Sequence, residues 1–554
     1  MNKIRISIFL FIGLVGFTSV AQARLLPGEN VFQLQLNKSL FVSGEKIWFK
    51  NSLVSGDKSE HNNILFVDLC GEGSVISSRI LERENRHWQG DIVIPDSLET
   101  GIYLLRAYIG DYNGNSAMVT QLVTIINRFG NNQGNQRRKE NPHYQPLNLV
   151  DRVPQSSGNG LKAFVNSESF KTKEPIECRI EKGSSVFPSG ISFNVYKVPE
   201  IESGDSAVSQ NTYETKVEYA GTNELKIYNR LTLCGKVTGK ISKQPVADER
   251  VFFSVPDSIP QINYATTDSN GVFCFDLDEY YGDQDVIVQT YTKNVEYEIT
   301  LFSGFLNPPS KIPFYIPGEV EKSQFVADAI QRAQLQKAYP LQEEKPVEKN
   351  SFRYPFYGVA SNMVFPGKYI ELNDFEEIAK EILPLCRIRK EKGKEFCRIV
   401  DPTNFINFDN PWLLVDGVPV YDVKQLSPLN SPKIKRVETQ AQLRCYGDLL
   451  IEGAVSVITS NGHFKDIPLP VNAIRTSLQT IYLPVEFPGN HFRLGQNFAD
   501  FRDVLYWKPL LEPFAQTCTL SVNSSYEKGS YVAVVEGIDA DGTVQRAVCK
   551  FKLE

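Results

Sequence analysis

Short segments in which apolar and polar residues alternate make up most of this chain, and clusters of turn residues separate them. "VFQLQLNKSLFVSGEKIWFKNSLV" predicts two strands around a turn at Ser43 to Glu45. "NILFVDLCGEGSVISSRIL" predicts a hairpin at Gly71 to Gly73, and "GDIVIPDSLETGIYLLRAYIG" ends in an aromatic-rich strand. Alternation with period two is the pattern of strands that bury one face. Residues 24–128 are therefore predicted to form a β-sandwich.

The alternation stops over residues 129–160, which are polar, rich in Asn and Gln, and predicted to be a linker. The basic run "RRK" at 137–139 is expected to be a solvated, protease-accessible tip, with a small basic docking site as the alternative. "LKAFVNSESFKTKEPIECRI" predicts a second sandwich over 161–230, and "LTLCGKVTGKISKQPVADERVFFSV" predicts a third over 231–303.

Helical patterns occur in the next two regions. "SQFVADAIQRAQLQKAY" predicts one helix within residues 304–366, which end in a charged connector. Residues 367–462 begin with a helix whose start is predicted at Asn373 or Asp374, because acidic residues fill its first turn and apolar residues lie on one face.

Strands follow that helix. "NPWLLVDGVPVYD" is predicted to turn at Asp416 and Gly417, and the strand at 434–437 comes next. Residues 463–554 are predicted to be a terminal β module that ends in a hairpin turning at 540–542. The fold class predicted from the whole pattern is mainly β and multidomain, with several β-sandwich modules and one small α/β domain.

Residues 1–23 are predicted to be a secretory signal peptide. Lys3 and Arg5 precede an apolar core, and the small-residue sequence Ala-Gln-Ala ends at Ala23. The alternative, a membrane anchor, is disfavoured because the apolar run is shorter than the roughly 20 residues that a membrane-spanning helix needs. The mature protein is therefore expected to be exported.

Several of these segments resemble known domains. "FVSGEKIWF", then "VDL", then "IPDSLETGIYLLRAY" resemble the strand pattern of macroglobulin-type domains over 24–128, and 161–230 resembles a second such domain more weakly. "YATTDSNGVFCFDL" within 231–303 is similar to carboxypeptidase regulatory-like domains, which carry no peptidase chemistry. The resemblance implies small sandwiches that bind rather than catalyse.

Residues 367–462 resemble the plug domain of TonB-dependent outer-membrane receptors, through the helix, the Val-Asp-Gly-Val-Pro strand and the Tyr-Gly segment "CYGDLLIEGAVSVITSNG". The receptor barrel would need several hundred residues of tilted strands, and too few residues follow. "FADFRDVLYWKPLLEPF" within 463–554 resembles the closing module of multidomain Bacteroidetes proteins. We expect the terminal strands to pack on the plug-like sheet, so that 367–554 would form one rigid body.

Candidate chemistry is scarce. Cys70-Gly71-Glu72 resembles the start of the macroglobulin thioester motif, but Gly73 stands where that motif has Gln. Five histidines show no metal-ligand spacing, and the catalytic and phosphate-binding motifs are missing. We therefore predict no catalytic, cofactor-binding or metal-binding residues. Ser43 and Lys46 form a Ser-x-x-Lys pattern at a strand turn, where the two would not share a helical face. Asp539 and Asp541 would suit a hairpin turn better than a calcium loop, whose later ligands are absent.

The nine cysteines leave their pairing open. Cys234 with Cys274, Cys386 with Cys397, and Cys518 with Cys549 could each form a disulfide within one module. Buried free thiols are the equally good alternative.

The expected function is a non-enzymatic binding or assembly protein of the cell envelope, in the periplasm, at the outer membrane or on the cell surface. Its partners would be outer-membrane or surface proteins, through which it could associate peripherally with the membrane. The net charge of −6 makes nucleic acid an unsuitable partner. The alternatives are an enzyme with a dispersed hydrolytic site and a macroglobulin-like, protease-binding protein without a thioester.

Overall fold

The computed structural model describes residues 30–55, 63–84, 87–110, 116–147, 155–199, 230–277, 280–292, 295–339, 354–391, 393–491 and 500–554. The predicted signal peptide lies outside these residues. No helix in the described ranges is long and apolar enough to cross a membrane.

The first half of the chain is built almost entirely from strands. The first eight are β1 (Asn30–Leu36), β2 (Leu40–Val42), β3 (Lys46–Ser55), β4 (Ile64–Gly71), β5 (Ser74–Glu82), β6 (His87–Val93), β7 (Gly101–Gly110) and β8 (Ser116–Ile126). Next come α1 (Gln133–Glu140), β9 (Gln145–Pro146), β10 (Leu161–Val165), β11 (Ser169–Phe170), β12 (Pro175–Lys182) and β13 (Ile191–Lys197). They are followed by β14 (Thr232–Gly239), β15 (Arg250–Ser254), β16 (Ile262–Thr266), β17 (Val272–Asp276), β18 (Asp283–Thr290) and β19 (Tyr297–Leu301).

The second half contains the remaining helices. It begins with β20 (Phe314–Tyr315), α2 (Gly318–Glu321), α3 (Gln324–Ala338), β21 (Asn362–Val364) and α4 (Phe375–Glu381). Next come β22 (Cys386–Glu391), β23 (Lys394–Asp401), β24 (Ile406–Phe408), β25 (Trp412–Val415), β26 (Val418–Val420), β27 (Ile434–Tyr446) and β28 (Leu449–Thr459). The last five strands are β29 (Ala473–Gln479), β30 (Val504–Lys508), β31 (Thr517–Asn523), β32 (Gly529–Ile538) and β33 (Val544–Leu553). The prediction of a mainly β, multidomain fold is confirmed.

The first sandwich consists of the sheets β1-β3-β6 and β2-β8-β7-β4-β5, which enclose one apolar core. Trp88, Phe41 and Phe49 are fully buried in that core, as the alternation of apolar residues predicts. The short strands β9 and β20 pair with each other, and α3 packs with them against the outer side of the five-stranded sheet.

A second sandwich is assembled from two distant parts of the chain, and we call it the mixed sandwich. Its sheets are β10-β12-β31 and β11-β33-β32-β13-β30. Each sheet therefore combines strands from residues 161–197 with strands from residues 504–553. This differs from the expectation of separate modules at 161–230 and 463–554. The reason is strand number: residues 161–197 supply only four strands, and the four strands β30 to β33 complete both sheets and their shared core.

A third sandwich, the middle sandwich, consists of the sheets β17-β14-β19 and β16-β15-β18-β29. Strand β29 comes from the predicted terminal module and pairs with β18 over seven residues of each strand. Cys234 and Cys274 lie opposite each other on β14 and β17 and form a disulfide, as one of the open pairings allowed.

The α/β unit follows α3 in the chain. Its five-stranded sheet has the order β21-β27-β28-β25-β26, and β22-β23-β24 form a smaller sheet beside it. Helix α4 begins after Asp374, whose carboxylate accepts a hydrogen bond from the backbone N–H of Glu377 at 2.8 Å, which is an N-cap. Phe375 and Ile378 on α4 are buried in the core of the unit, as the helix pattern predicts.

The predicted linker 129–160 is partly ordered secondary structure. Helix α1 occupies Gln133–Glu140, so the basic run 137–139 lies on a helix rather than at a loop tip. Arg138 is half-buried, and its guanidinium donates to the backbone oxygen of Ile102 at 3.0 Å. Polar composition misled the prediction because α1 is held by such contacts rather than by an apolar face.

Candidate functional site

Six charged side chains meet where the first sandwich, α3 and the mixed sandwich come together, and we call this group the ionic junction. Its members are Lys38, Glu45, Lys197, Arg332, Asp503 and Glu527. Lys38 Nζ lies 2.8 Å from both Glu45 Oε2 and Asp503 Oδ2. Glu527 Oε2 lies 3.2 Å from the nitrogens of Arg332 and Lys197. Three cations therefore face three carboxylates across three parts of the fold.

Local structure fixes each of these side chains. Glu45 lies in the turn after β2, where its carboxylate accepts a hydrogen bond from the backbone N–H of Val42 at 2.8 Å. Ser323 caps the N-terminus of α3, and Arg332 lies on the buried face of that helix with only 4% of its side chain exposed. Asp503 directly precedes β30. Arg332 and Lys197 therefore lie on α3 and β13, whereas the other four members lie in short connections next to strands.

Lys38, Arg332 and Asp503 support one another electrostatically. Burial disfavours the ionised form of Asp503, but the positive charges of Lys38 and Arg332 outweigh it and lower the pKa of Asp503 to about 2. Burial likewise opposes the charge of Lys38, yet Asp503 and Glu45 raise its pKa above the usual value. Removing one member would leave its partners charged and poorly solvated, which is costly in a buried network.

The ionic junction is too tightly packed for a substrate. The cavity beside it has a volume of about 20 Å³ and is lined by Lys38, Tyr196, Arg332 and Asp503 among others. That volume accommodates one water molecule. The arrangement therefore holds three parts of the chain together around a space of about one water molecule.

The motif "DFRDVLYW" supplies the rest of this contact. Arg502 forms a fork with Asp500, with nitrogen–oxygen distances of 2.8 and 2.7 Å. The same guanidinium donates to the backbone oxygens of Gly489, Leu505 and Asn523. The segment before β30 is thereby fixed to the end of β31.

Aromatic residues from the two sequence motifs meet beside that fork. Trp48 of the "EKIWF" strand and Trp507 belong to one buried cluster. Between them, Phe487 meets the ring of Trp48 edge to face, with ring centroids 5.4 Å apart. The motif of the first sandwich and the motif near the C-terminus, selected separately from the sequence, are thus in one interface.

A second buried ion pair joins the first sandwich to the segment that follows the middle sandwich. Asp68 and Arg106 lie opposite each other on β4 and β7, are fully buried, and are linked at 2.7 Å. Arg106 also donates to the backbone oxygens of Leu306 and Asn307 at 2.6 Å each. Both charged residues come from the "VDL" and "LLRAY" motifs, so these motifs also mark a structural contact.

Asp416 has a comparable role in the α/β unit. It forms the predicted turn with Gly417, and both residues have positive φ, at 47° and 84°, as a type I′ hairpin turn requires. The buried carboxylate of Asp416 accepts hydrogen bonds from the backbone N–H and hydroxyl of Thr459 and from the N–H of Phe464. The backbone oxygen of Asp416 accepts from Asp257, which belongs to the middle sandwich. The predicted turn therefore also contacts a neighbouring unit.

The thioester-like residues have structural roles. Cys70 is fully buried, and burial raises the pKa of its thiol to about 12, which disfavours the nucleophilic thiolate. The Glu72 carboxylate accepts hydrogen bonds from the hydroxyl of Tyr144 at 3.0 Å and from the backbone N–H of Ile312 at 2.8 Å. An open cleft of about 560 Å³ lies between this hairpin and α1.

The other sequence candidates are also used by the fold. Ser43 is buried, and its hydroxyl accepts a hydrogen bond from the backbone N–H of Arg128 at 3.1 Å, whereas Lys46 forms an ion pair with Asp91 at 3.7 Å. The Asp539 carboxylate accepts from the backbone N–H groups of Asp541 and Thr543, as in a hairpin turn.

Within the described residues, the remaining two predicted cysteine pairings are not formed, and no metal-ligand group is present. Among the residues that the structure describes, no three His, Cys, Asp or Glu side chains lie together as a metal site would require. The sulfurs of Cys386 and Cys397 lie 2.9 Å apart but do not form a disulfide. Cys518 and Cys549 are also free thiols.

Sequence reasoning found part of this site. Glu45 and Asp503 belong to motifs that it singled out, whereas Lys38 and Arg332 lie in segments that predicted only secondary structure, and Glu527 lies outside every motif. The amphipathic spacing of α3 could have flagged Arg332, because a charged residue on the apolar face of a helix needs a buried partner.

Comparisons with known proteins give little further information. No protein-family model matches the sequence, and no curated protein matches it. Among solved structures, the chain is similar to a Salmonella α2-macroglobulin mutant, with 9% identity over 98% of this chain and 40% of that chain and a TM-score of 0.24. Trypsin-activated α2-macroglobulin from Escherichia coli gives 11% identity over 97% of this chain and 42% of that chain, with a TM-score of 0.23.

A β-sandwich carbohydrate-binding module is also similar, with 10% identity over 52% of this chain and 88% of that chain and a TM-score of 0.14. The chain thus covers less than half the length of these macroglobulins. Scores of this size carry no argument about function, so the assignment of sandwiches rests on the sheets themselves.

Proposed function

We propose that this chain is a non-enzymatic binding or assembly protein of the bacterial cell envelope. The supporting observation is the use of its buried charges: the ionic junction and the Asp68–Arg106 pair join separate parts of the fold. Buried ionisable groups in an enzyme typically converge on a substrate cleft. Here they converge on contacts between sandwiches, which suits a scaffold that presents surfaces in a fixed arrangement.

The finer features of the proposal come from the sequence resemblances. Residues 1–23 would direct export, so the protein would reside in the periplasm, at the outer membrane or on the cell surface of a Bacteroidetes-type bacterium. Residues 231–303 would be a regulatory-like domain and 367–462 a plug-like domain used without a barrel. Its partners would be outer-membrane or surface proteins, and membrane association would be peripheral and indirect.

The middle sandwich covers part of the α/β unit, which supports the use of a plug-like fold outside a barrel. Tyr446 donates its hydroxyl hydrogen to the backbone oxygen of Ile262 at 2.7 Å, and Tyr421 donates to that of Thr290 at 3.1 Å. The ring of Trp412 also packs edge to face against Phe252. In the proposed plug-like domain, these contacts would take the place of contacts with a barrel wall.

Affinity capture of the mature protein after mild crosslinking in cells tests this function. We expect outer-membrane proteins to be enriched over a matched exported control protein. We also expect the bound fraction to sediment with outer membranes. Purely soluble fractionation with no enriched envelope protein would contradict the proposal, as would turnover of a substrate that depends on residues of the 560 Å³ cleft.

A further inference from the structure

Two cysteines of the small sheet β22-β23-β24 lie with their sulfurs in contact. Cys386 begins β22 and pairs with Ile399 on β23, and Cys397 lies two residues before Ile399 on that strand. Because successive side chains of a strand point to opposite faces, Cys386 and Cys397 lie on the same face of the sheet. Their sulfurs are 2.9 Å apart. A bond between them would therefore need a movement of less than about 1 Å.

The two thiols are enclosed within the α/β unit. Cys386 is fully buried, Cys397 is 3% exposed, and both belong to the core that contains Phe375 and Ile378 of α4. The hydrogen bond with Cys386, together with burial, raises the pKa of the Cys397 thiol well above its usual value. The thiolate is the form that attacks a disulfide, so the pair reacts slowly once the core has formed.

The other free cysteines do not share this arrangement. Within the described residues, no other two free thiols lie within hydrogen-bonding distance of each other. Cys70 is also fully buried, and an isolated buried thiol behaves as a small hydrophobic side chain. Cys445 is exposed on β27, where its thiol meets solvent. Contact between two thiols therefore singles out Cys386 and Cys397.

We propose that Cys386 and Cys397 are a modification site, which a thiol–disulfide oxidoreductase of the cell envelope converts to a disulfide while the chain folds. One cysteine thiolate attacks the disulfide of the oxidant, which forms a mixed disulfide and releases one thiol of the oxidant. The second cysteine thiolate then attacks the mixed disulfide and releases the other thiol. Two electrons pass to the disulfide of the oxidant, and both cysteine protons end on its thiols.

The structure shows the dithiol form, which precedes this reaction. The disulfide would close the loop of residues 386–397 at the base of the β22–β23 hairpin, which restricts the unfolded chain and stabilises the fold. This inference rests on the proposed function, because export would bring the chain to a compartment in which disulfides persist. It adds a covalent modification and its timing, since oxidation would precede closure of the core.

Refolding with oxidised glutathione tests the pair directly. The mature chain is unfolded in urea with reductant, refolded with oxidised glutathione, alkylated, and digested with trypsin without reduction. We expect mass spectrometry to find residues 381–387 linked to residues 395–398, with two hydrogen atoms fewer than the separate peptides. Absence of this linked species, or linkage of Cys386 or Cys397 to a different cysteine, would overturn the proposal.

The timing is tested by adding oxidised glutathione to the chain that has already folded in its reduced form. The Cys386–Cys397 link should then form at least about tenfold more slowly than during refolding, because the core must first open. Cys445 is the internal control, and its reaction with glutathione should be similar in both procedures because it is exposed. Equal rates of Cys386–Cys397 linkage would contradict oxidation before closure of the core.

A variant without the other disulfide isolates the effect on stability. In Cys234→Ala/Cys274→Ala, the oxidised chain should unfold at a higher urea concentration than the same chain with reductant. Further substitution by Cys386→Ala and Cys397→Ala should abolish that difference. Equal unfolding midpoints with and without reductant in the first variant would contradict a stabilising link, and this comparison needs no change at Cys386 or Cys397.

The chain captured from cells, with its free thiols blocked by N-ethylmaleimide at harvest, tests the modification in the proposed compartment. We expect the linked peptide in the chain recovered from the envelope. If both thiols are blocked in that chain, the modification is overturned, whereas enrichment of outer-membrane proteins by crosslinking would still support the proposed function. If refolding links the pair but the chain is not exported, the proposed function fails and the pairing of the two thiols stands.

Discussion

The ionic junction and the small sheet β22-β23-β24 both bring charged side chains close together, but only the junction buries them. At the junction, three cations meet three carboxylates, and Arg332 and Lys38 are only 4% and 10% exposed. On the small sheet, Arg387 and Arg398 lie opposite each other on β22 and β23, and Arg398 forms an ion pair with Asp409, which is 50% exposed. Loss of one charge from the buried junction would leave its partners uncompensated, whereas an exposed ion pair contributes little to stability.

Removal of one carboxylate from each region should give the largest difference in the free energy of unfolding. Asp503→Ala leaves Lys38 and Arg332 buried without their shared partner, and we expect a loss of about 3 to 5 kcal/mol in the free energy of unfolding. Asp409→Ala removes an exposed partner of Arg398 and should cost no more than about 1 kcal/mol. Urea unfolding of both variants measures the difference, and equal losses would contradict the contrast.

The fork of Arg502 tests whether geometry as well as charge holds the junction region. Arg502→Lys keeps the charge but cannot maintain the fork to Asp500 together with the contacts to three backbone oxygens. We expect a loss of about 3 kcal/mol, because buried acceptors would lose their donors. A loss below about 1 kcal/mol in urea unfolding would show that charge alone is sufficient.

The sequence predicted the fold class, the helices α3 and α4, and the Asp416 turn, because each depends on neighbouring residues. It did not predict the mixed sandwich, since the pairing of β12 with β31 joins residues more than 300 positions apart and local periodicity contains no information about partners. For the same reason, the expectation that 367–554 forms one body with its last strands on the α/β sheet is wrong. Those strands complete the mixed sandwich, and β29 extends the middle one.

The candidate site was predictable only where a motif coincided with it. Motif residues such as Asp503 and Arg106 were visible in the sequence, but nothing in the sequence marked Lys38 or Leu306 as their partners. Which charges meet is decided by the packing of units, and that packing follows from strand pairings that the sequence pattern does not specify.

Lys50 differs from the buried cations of the ionic junction, because no carboxylate of the described residues lies within ion-pair distance of its amine. It is 1% exposed on β3, and its amine donates to the Gly190 backbone oxygen at a long 3.4 Å. Burial lowers the pKa of Lys50 to about 7 in the folded protein, well below its value in the unfolded chain. The folded state therefore binds fewer protons than the unfolded state above about pH 7, so stability should rise with pH from there towards about pH 10.

We therefore expect Lys50→Met to raise the free energy of unfolding by about 2 kcal/mol at about pH 6 and to flatten its rise with pH. The neighbouring Glu536 keeps its ion pair with Arg546, so no carboxylate is left without a partner. Urea unfolding as a function of pH measures both effects. A variant that is less stable than the wild type at about pH 6 would contradict this account of Lys50.

A variant of Phe405, the residue immediately before β24, should change stability least. Phe405→Gly relieves an unfavourable φ and removes an exposed ring, so we expect a gain of about 0.5 kcal/mol. The matched variant Phe408→Gly removes a ring that is packed in the core of the α/β unit and should instead cost about 3 kcal/mol or more. Similar losses for both variants would show that the Phe405 ring stabilises the fold.

Residues 161–197 and 504–553 form one sandwich, and the ionic junction links it to the first sandwich. Insertion of a specific protease site between residues 200 and 229, followed by cleavage of the folded mature protein, tests whether these two parts of the chain form one unit. Size-exclusion chromatography with light scattering, without denaturant, should show one species with the mass of the intact chain, because β12 and β13 pair with β31, β30 and β32 across the cut. Separation of the two fragments into independent folded species under these conditions would contradict the account.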